Sequence, residues 1–153
     1  MKRQVDIRTL PADAGTLSAP FQEDYALLLV ISTGSITKEQ RERIASDVVT
    51  SRCQYALTYG NDCQAWHDAI DLAGVDAGGP EDRFLMTTWH DDEPIEDVVD
   101  FLWWNTSYDC FEAVRLAIVH IGSDARLEAS VRERVSFHLE RQAEQLAIPP
   151  NDR

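Results

Sequence analysis

Seven consecutive apolar residues, Tyr25-Ala-Leu-Leu-Leu-Val-Ile31, constrain the fold of this chain more than any other feature. The run is far shorter than the ~20 residues of a membrane span. It also lacks the alternation of a strand with one wet face. Branched residues at this length suit a strand buried on both faces, as in a parallel sheet covered by helices. Three further segments have strand character: Gln54–Tyr59, Phe84–Trp89 and Val114–Ile121.

Helical patterns lie between them. Thr37-Lys-Glu-Gln40 reads as a capping box, followed by an apolar stripe of Ile44, Ala45, Val48 and Val49. Asn61 or Asp62 caps a second helix, with Cys63, Trp66, Ile70 and Ala73 inward and Gly74 as its end. Pro94 opens a third, with Ile95, Val98, Val99 and Leu102 at helical spacing. Ser123 caps a fourth that runs to about Ala147, with Leu127, Val131, Val135, Leu139 and Leu146 inward. Residues 1–24 read as irregular, broken by Pro11 and Pro20. Val5, Ile7 and Leu10 offer at most a short edge strand. The alternation predicts a single α/β domain over 1–153, with its core at 25–147 and a tail at 148–153. The expected architecture is a three-layer sandwich around a mostly parallel four-stranded sheet, flavodoxin-like or Rossmann-like.

Charge narrows the partners. The net charge is −13, with no basic stripe, which argues against nucleic acid or an anionic membrane as partner. Twelve of the 27 acidic residues fall between positions 61 and 100, against a single base there, Arg83. The acidity is therefore regional. The cysteines Cys53, Cys63 and Cys110 are odd in number and widely spaced, which suits a reducing compartment. No apolar segment follows the basic first residues, so a cytoplasmic location is expected.

In open parallel sheets, ligands bind at the carboxyl ends of the strands. This rule places four stretches along one edge: Ser32–Thr37, Tyr59–Cys63, Trp89–Glu93 and His120–Asp124. His90-Asp91-Asp92-Glu93 is the densest. His90, Asp91 and Asp92 are candidate ligands for a divalent metal, and Asp62, His90, Asp91 and Glu93 are candidate catalytic groups. The bland alternative is that Asp92 and Glu93 serve a helix N-terminus. Thr33, Gly34, Ser35 and Thr37 form a candidate anion loop at a strand-to-helix turn. That loop resembles the phosphate loop of flavodoxins but is one residue longer, with the bulky Ile36 inside it. Cys63, His67 and Asp71 recur every four residues on one helix, a spacing compatible with a thiolate pair and equally with a cysteine used as core. His120 and His138 stand alone and read as structural. Phe101, Trp103 and Trp104 cannot all face one direction on a helix, so they mark either a fully buried helix or a homodimer patch.

Met86-Thr-Thr-Trp-His-Asp-Asp-Glu-Pro94, together with Tyr59-Gly-Asn-Asp-Cys63 and His67-Asp68, resembles the signature of an uncharacterised family of small bacterial proteins, a domain of unknown function. The resemblance spans roughly residues 25 to 121. It implies a bacterial source and an α/β domain, and transfers no activity.

Three functions remain in view. The first is an acidic partner-binding protein, immunity-like or regulatory, that presents its 61–100 region to a basic protein. The second is a metal-dependent hydrolase using the carboxyl edge. The third is a flavodoxin-like binder of flavin or nucleotide.

Overall fold

The computed structural model describes residues 1–77 and 85–149. The turn expected at Gly78-Gly79-Pro80, the charged residues Glu81, Asp82 and Arg83, and the start of the expected third strand at Phe84 lie outside the described residues. So does the end of the tail, residues 150–153.

The elements run β1 (Gln4–Leu10), β2 (Tyr25–Ile31), α1 (Lys38–Thr50), β3 (Cys53–Gly60), α2 (Cys63–Asp76), β4 (Met86–His90), α3 (Ile95–Trp104), β5 (Arg115–Ile121) and α4 (Ala125–Ala147). The strands form one sheet in the order β1-β5-β2-β3-β4, and every pairing is parallel. The sheet therefore has five strands rather than four. The fifth is β1, in the stretch expected to be irregular. It pairs with β5 along its whole length, from Gln4 opposite Arg115 to Leu10 opposite Ile121. Val5 and Ile7 turn toward the core while Asp6 and Arg8 pair with each other at 2.8 Å. A polar residue at every second position is what an edge strand with one wet side requires.

β2 is buried throughout. Its odd and even residues divide between the two faces of the sheet. Tyr25, Leu27, Leu29 and Ile31 pack with Ile44 and Val48 of α1, Trp66 and Ile70 of α2, and Leu17 of the β1–β2 connection. Ala26, Leu28 and Val30 pack with Val98, Leu102 and Trp103 of α3 and Val131 and Val135 of α4. Two helices cover each face, which explains the unbroken apolar run.

The helices carry three corrections, two at boundaries and one on an inward face. Thr37 and Gln40 form the expected reciprocal capping box, and the Gln40 amide also donates to the carbonyls of Ala12 and Ala14 at 3.1 Å. That bond ties the 11–24 connection to α1. α2 passes through Gly74 and ends at Asp76, because the helix there needs no left-handed stop. The cap of α4 is Asp124, not Ser123: the Asp124 carboxylate accepts from Leu127 N at 3.0 Å. Further along α4 the inward residue is the buried His138, while Leu139 and Leu146 are exposed. No helix among the described residues is long and apolar enough to cross a membrane.

Candidate functional site

Because all five strands are parallel, their carboxyl ends lie on one edge. The register holds these ends level: Leu10 is opposite Ile121, Ile121 opposite Ile31, and Ile31 opposite Gly60. The expected gathering of four loops at that edge is thus realised, and the loop after β1 joins them.

Two glycines close the seams between strands. Gly60 has φ +96 and Gly122 has φ +111, backbone conformations that favour glycine. A Cβ at Gly60 would stand 2.2 Å from the Ile31 carbonyl oxygen. Asn61 N donates to that same oxygen at 2.9 Å, fastening the exit of β3 to the end of β2.

The acidic residues divide in space. Asp62, Asp91, Asp92 and Glu93 are exposed at the carboxyl edge, and Glu96 and Asp97 occupy the first turn of α3 beside them. Asp62 stands at the N-cap of α2 in a left-handed conformation and makes no capping bond. Asp92 is also left-handed, φ 54, in the tight turn between β4 and α3. Pro94 is the N-cap of α3, and no side-chain hydrogen bond caps that helix. Glu93 instead reaches back to His90, with Oε2 at 3.1 Å from Nδ1. The His90 Nε2 faces the Thr88 hydroxyl at 3.0 Å, the ring is 6% exposed, and it packs edge-on against Phe101. Both ring nitrogens are therefore engaged, by Thr88 and Glu93, while Asp91 and Asp92 lie in solvent. Among the described residues no group of three His, Cys, Asp or Glu side chains is arranged to hold a metal ion.

Tyr59 lies near the carboxyl end of β3, on the same edge. Its phenol is raised above the ordinary tyrosine range by burial first, then by the carboxylates of Glu96, Asp124 and Glu93. Cys63 faces inward, 5% exposed, and its thiol is likewise raised, by burial and then by Asp91. A helix start by itself lowers a thiol, and here desolvation of the thiolate outweighs that effect. His67 lies on the flank of α2, between Asp68 at 3.0 Å and Asp71 at 3.5 Å, with its ring against Trp89. Cys63 and His67 thus serve different surroundings.

The candidate anion loop is largely occupied by its own bonds. Thr33 and Ser35 hydroxyls pair at 2.8 Å, and Ser35 N donates to Thr33 Oγ1. Thr37 spends both its hydroxyl and its amide on Gln40. Gly34 lies beside Asn61.

Sequence reasoning set His120 aside as structural, and it passed over Glu128. His120 Nε2 lies 2.6 Å from Ser32 Oγ, and Glu128 Oε1 stands behind Nδ1 at 3.9 Å. The three residues come from β5, the β2–α1 loop and α4, so no local spacing marks them.

Of the aromatic residues on α3, Trp103 is buried and stacks on His138 at 4.7 Å, and Phe101 is half-buried. Trp104 alone is open, at 60% exposure. It lines a groove of about 580 Å³ with Arg3, Arg134, Phe137 and Arg141, at the end of the sheet opposite the acidic edge. The three aromatics do not form one patch, because a helix distributes consecutive residues around its axis.

A parallel sheet with two helices on each face, and with its polar loops gathered at the carboxyl edge, defines an open-sheet α/β protein. The chain belongs to the family described as a domain of unknown function, DUF7684, whose model matches residues 5–136. That span takes in β1 and the first half of α4, beyond both ends of the 25–121 stretch. No curated protein matches the chain, and no solved structure matches it.

Proposed function

We propose that this is an acidic, cytoplasmic bacterial protein that binds a basic protein partner, immunity-like or regulatory, through the carboxyl edge of its sheet. One observation carries the reading. Asp62, Asp91, Asp92, Glu96 and Asp97 share that edge, and among the described residues no ion pair neutralises them, whereas Asp68, Asp71 and Asp100 in the same sequence region are held by neighbouring side chains. Unpaired carboxylates at one edge create a local field that steers and selects a cationic surface. The Thr-Thr-Trp-His-Asp-Asp-Glu-Pro signature falls on the loop that carries three of the edge acids, Asp91, Asp92 and Glu93. The fold leans to the Rossmann-like side of the expectation. From β2 the sheet grows through β3 to β4, then resumes on the other side of β2 with β5, the order of the first four strands of a dinucleotide-binding sheet.

The test is affinity capture from lysate of the source cells at low and at high salt. The immobilised chain is compared with a variant carrying Asp62→Asn, Asp91→Asn, Asp92→Asn and Asp97→Asn. The reading expects a basic protein that the wild type retains at low salt, releases at high salt, and that the variant does not retain. Equal retention by the two chains, or capture of no basic protein, would end it.

A further inference from the structure

β2 and β5 are neighbours whose chains leave the sheet on opposite sides, β2 toward α1 and β5 toward α4. The crevice between two such strand ends is where open parallel sheets place their chemistry. Ser32 is the first residue past β2, and His120 is the penultimate residue of β5. The Ser32 Oγ to His120 Nε2 distance is 2.6 Å. The ring is 4% exposed, and its Nδ1 has no hydrogen-bond partner. Glu128 Oε1 lies 3.9 Å from Nδ1 and is held in place by the Thr9 hydroxyl at 2.9 Å. A cavity of about 10 Å³ bordered by Thr9, His120 and Glu128 has room for about one water.

The carboxylate decides the tautomer. A negative charge behind Nδ1 favours the proton on that nitrogen, which leaves the lone pair on Nε2. The Ser32 hydroxyl then donates to Nε2. Burial pulls the ring below the ordinary histidine range and outweighs the upward pull of Glu128 and Asp124, so the base is neutral at physiological pH. A hydroxyl on the lone pair of a neutral imidazole, with a carboxylate behind the other nitrogen, is the constellation of an activated serine. Two backbone features complete it. Among the described residues the amides of Thr33 and Gly34 donate to no acceptor, and the amide after a nucleophile on a strand-to-helix turn is where such sites stabilise an oxyanion. A Cβ at Gly122 would stand 2.7 Å from Ser32 Oγ, so glycine there keeps the hydroxyl uncovered.

We propose that Ser32 is the nucleophile of an acyl-ester hydrolase centre, with His120 as its general base and Glu128 as the residue that positions the ring. The Ser32 oxygen bonds to the ester carbonyl carbon as its proton passes to His120 Nε2. The bond from carbon to the leaving oxygen breaks, and the leaving alcohol takes that proton. Water then attacks the acyl-serine and gives a proton to His120, which returns it to Ser32 as the carboxylic acid departs. Water is the sole co-reactant. The centre goes beyond the partner-binding reading and does not depend on it.

The full chain is incubated with a fluorophosphonate, which forms a phosphorus–oxygen bond to an activated serine and loses fluoride, and the adduct is mapped by peptide mass spectrometry. p-Nitrophenyl acetate serves as the turnover probe. A single adduct at Ser32 is expected, absent from Ser32→Ala. His120→Gln slows labelling by about 10²–10⁴-fold. Glu128→Gln, at a partly exposed position, retains the fold and separates positioning from packing. The labelling rate of the wild type rises with pH as His120 loses its proton. Thr9, Ser32, Asp124, Glu128 and Arg132 face or border that ring, and removing the Glu128 charge moves the rising limb to lower pH with a lower plateau. A structural role for Glu128 would change melting temperature and leave the limb where it was. Folded wild type without an adduct at Ser32, or His120→Gln labelled at the wild-type rate, overturns the proposal. If His120→Gln fails to fold, an unmoved limb in Glu128→Gln does so.

Discussion

Replacing Gly60 by alanine tests how the carboxyl edge is held together. Gly60 has φ +96, a conformation that costs a residue with a Cβ about 1–2 kcal/mol. The added carbon would also meet the β2 backbone: 2.2 Å to the Ile31 oxygen, 3.1 Å to its carbonyl carbon and 3.4 Å to its nitrogen. None of these atoms belongs to a side chain that can swing away. β2 and β3 must separate, at an overpacking cost of about 1–3 kcal/mol. The Asn61 N to Ile31 O bond then loosens, for about 0.5–1.5 kcal/mol more. The sum is about 2.5–6.5 kcal/mol. Gly122→Ala is the internal control. Its φ of +111 carries a similar backbone cost, but the contact under 3 Å is the Ser32 hydroxyl oxygen, which can rotate at the cost of its bond to His120, and the nearest backbone atom, the Ser32 carbonyl carbon, stands at 3.3 Å. Its loss should stay near 1–3 kcal/mol. Urea denaturation of both variants against wild type measures the two, with a fall in Tm of about 2–4 °C per kcal/mol for a chain of this size. If Gly60→Ala costs no more than Gly122→Ala, the steric account of the seam is wrong.

Three further outcomes are expected. Trp66→Ala opens a cavity between α2 and the sheet, where the side chain is 1% exposed, and should cost about 3–5 kcal/mol by chemical denaturation. Thr37→Ala removes one half of the α1 capping box and should cost about 1 kcal/mol in the same assay. Asp100 is lowered from the usual carboxylate range by hydrogen bonds from Arg134, opposed by desolvation and aided by His138. The contribution of this depressed group is present above the unfolded Asp pKa of ~3.9 and lost as pH falls below it toward the native value. Asp100→Asn should therefore be less stable than wild type at neutral pH and flatten the acid limb of the stability–pH curve, as measured by melting temperature against pH.

Much of the architecture was legible because it rests on local rules. The buried strand at 25–31, the capping box at Thr37 and the stripe of Cys63, Trp66 and Ile70 each follow from spacing within one element. β1 was harder to read, because an edge strand with one wet side is half polar and gains its partner, β5, over a hundred residues later. In α4 the choice between His138 and Leu139 went against hydrophobicity. The Asp100 carboxylate 2.7 Å from His138 Nε2 and the Trp103 ring stacked on it make a buried site that a histidine fills and a leucine does not.

The candidate site divides along the same line. The acidic edge was readable as a run of letters, although only tertiary structure separated Asp62, Asp91 and Asp92, without an ion pair among the described residues, from Asp100, which Arg134 holds at 2.6 Å. Ser32, His120 and Glu128 left no pattern, since a hydrogen-bonded constellation is set by distance in space and these residues lie on β5, α4 and a loop between two other elements. Periodicity and capping chemistry act between residues within a few positions of one another, so the sequence alone determined the helices, the buried strand and the class of fold. Register, edge pairing and the meeting of distant side chains depend on how the finished layers pack. Those were decided by the tertiary structure, and with them the sites on which both proposals rest.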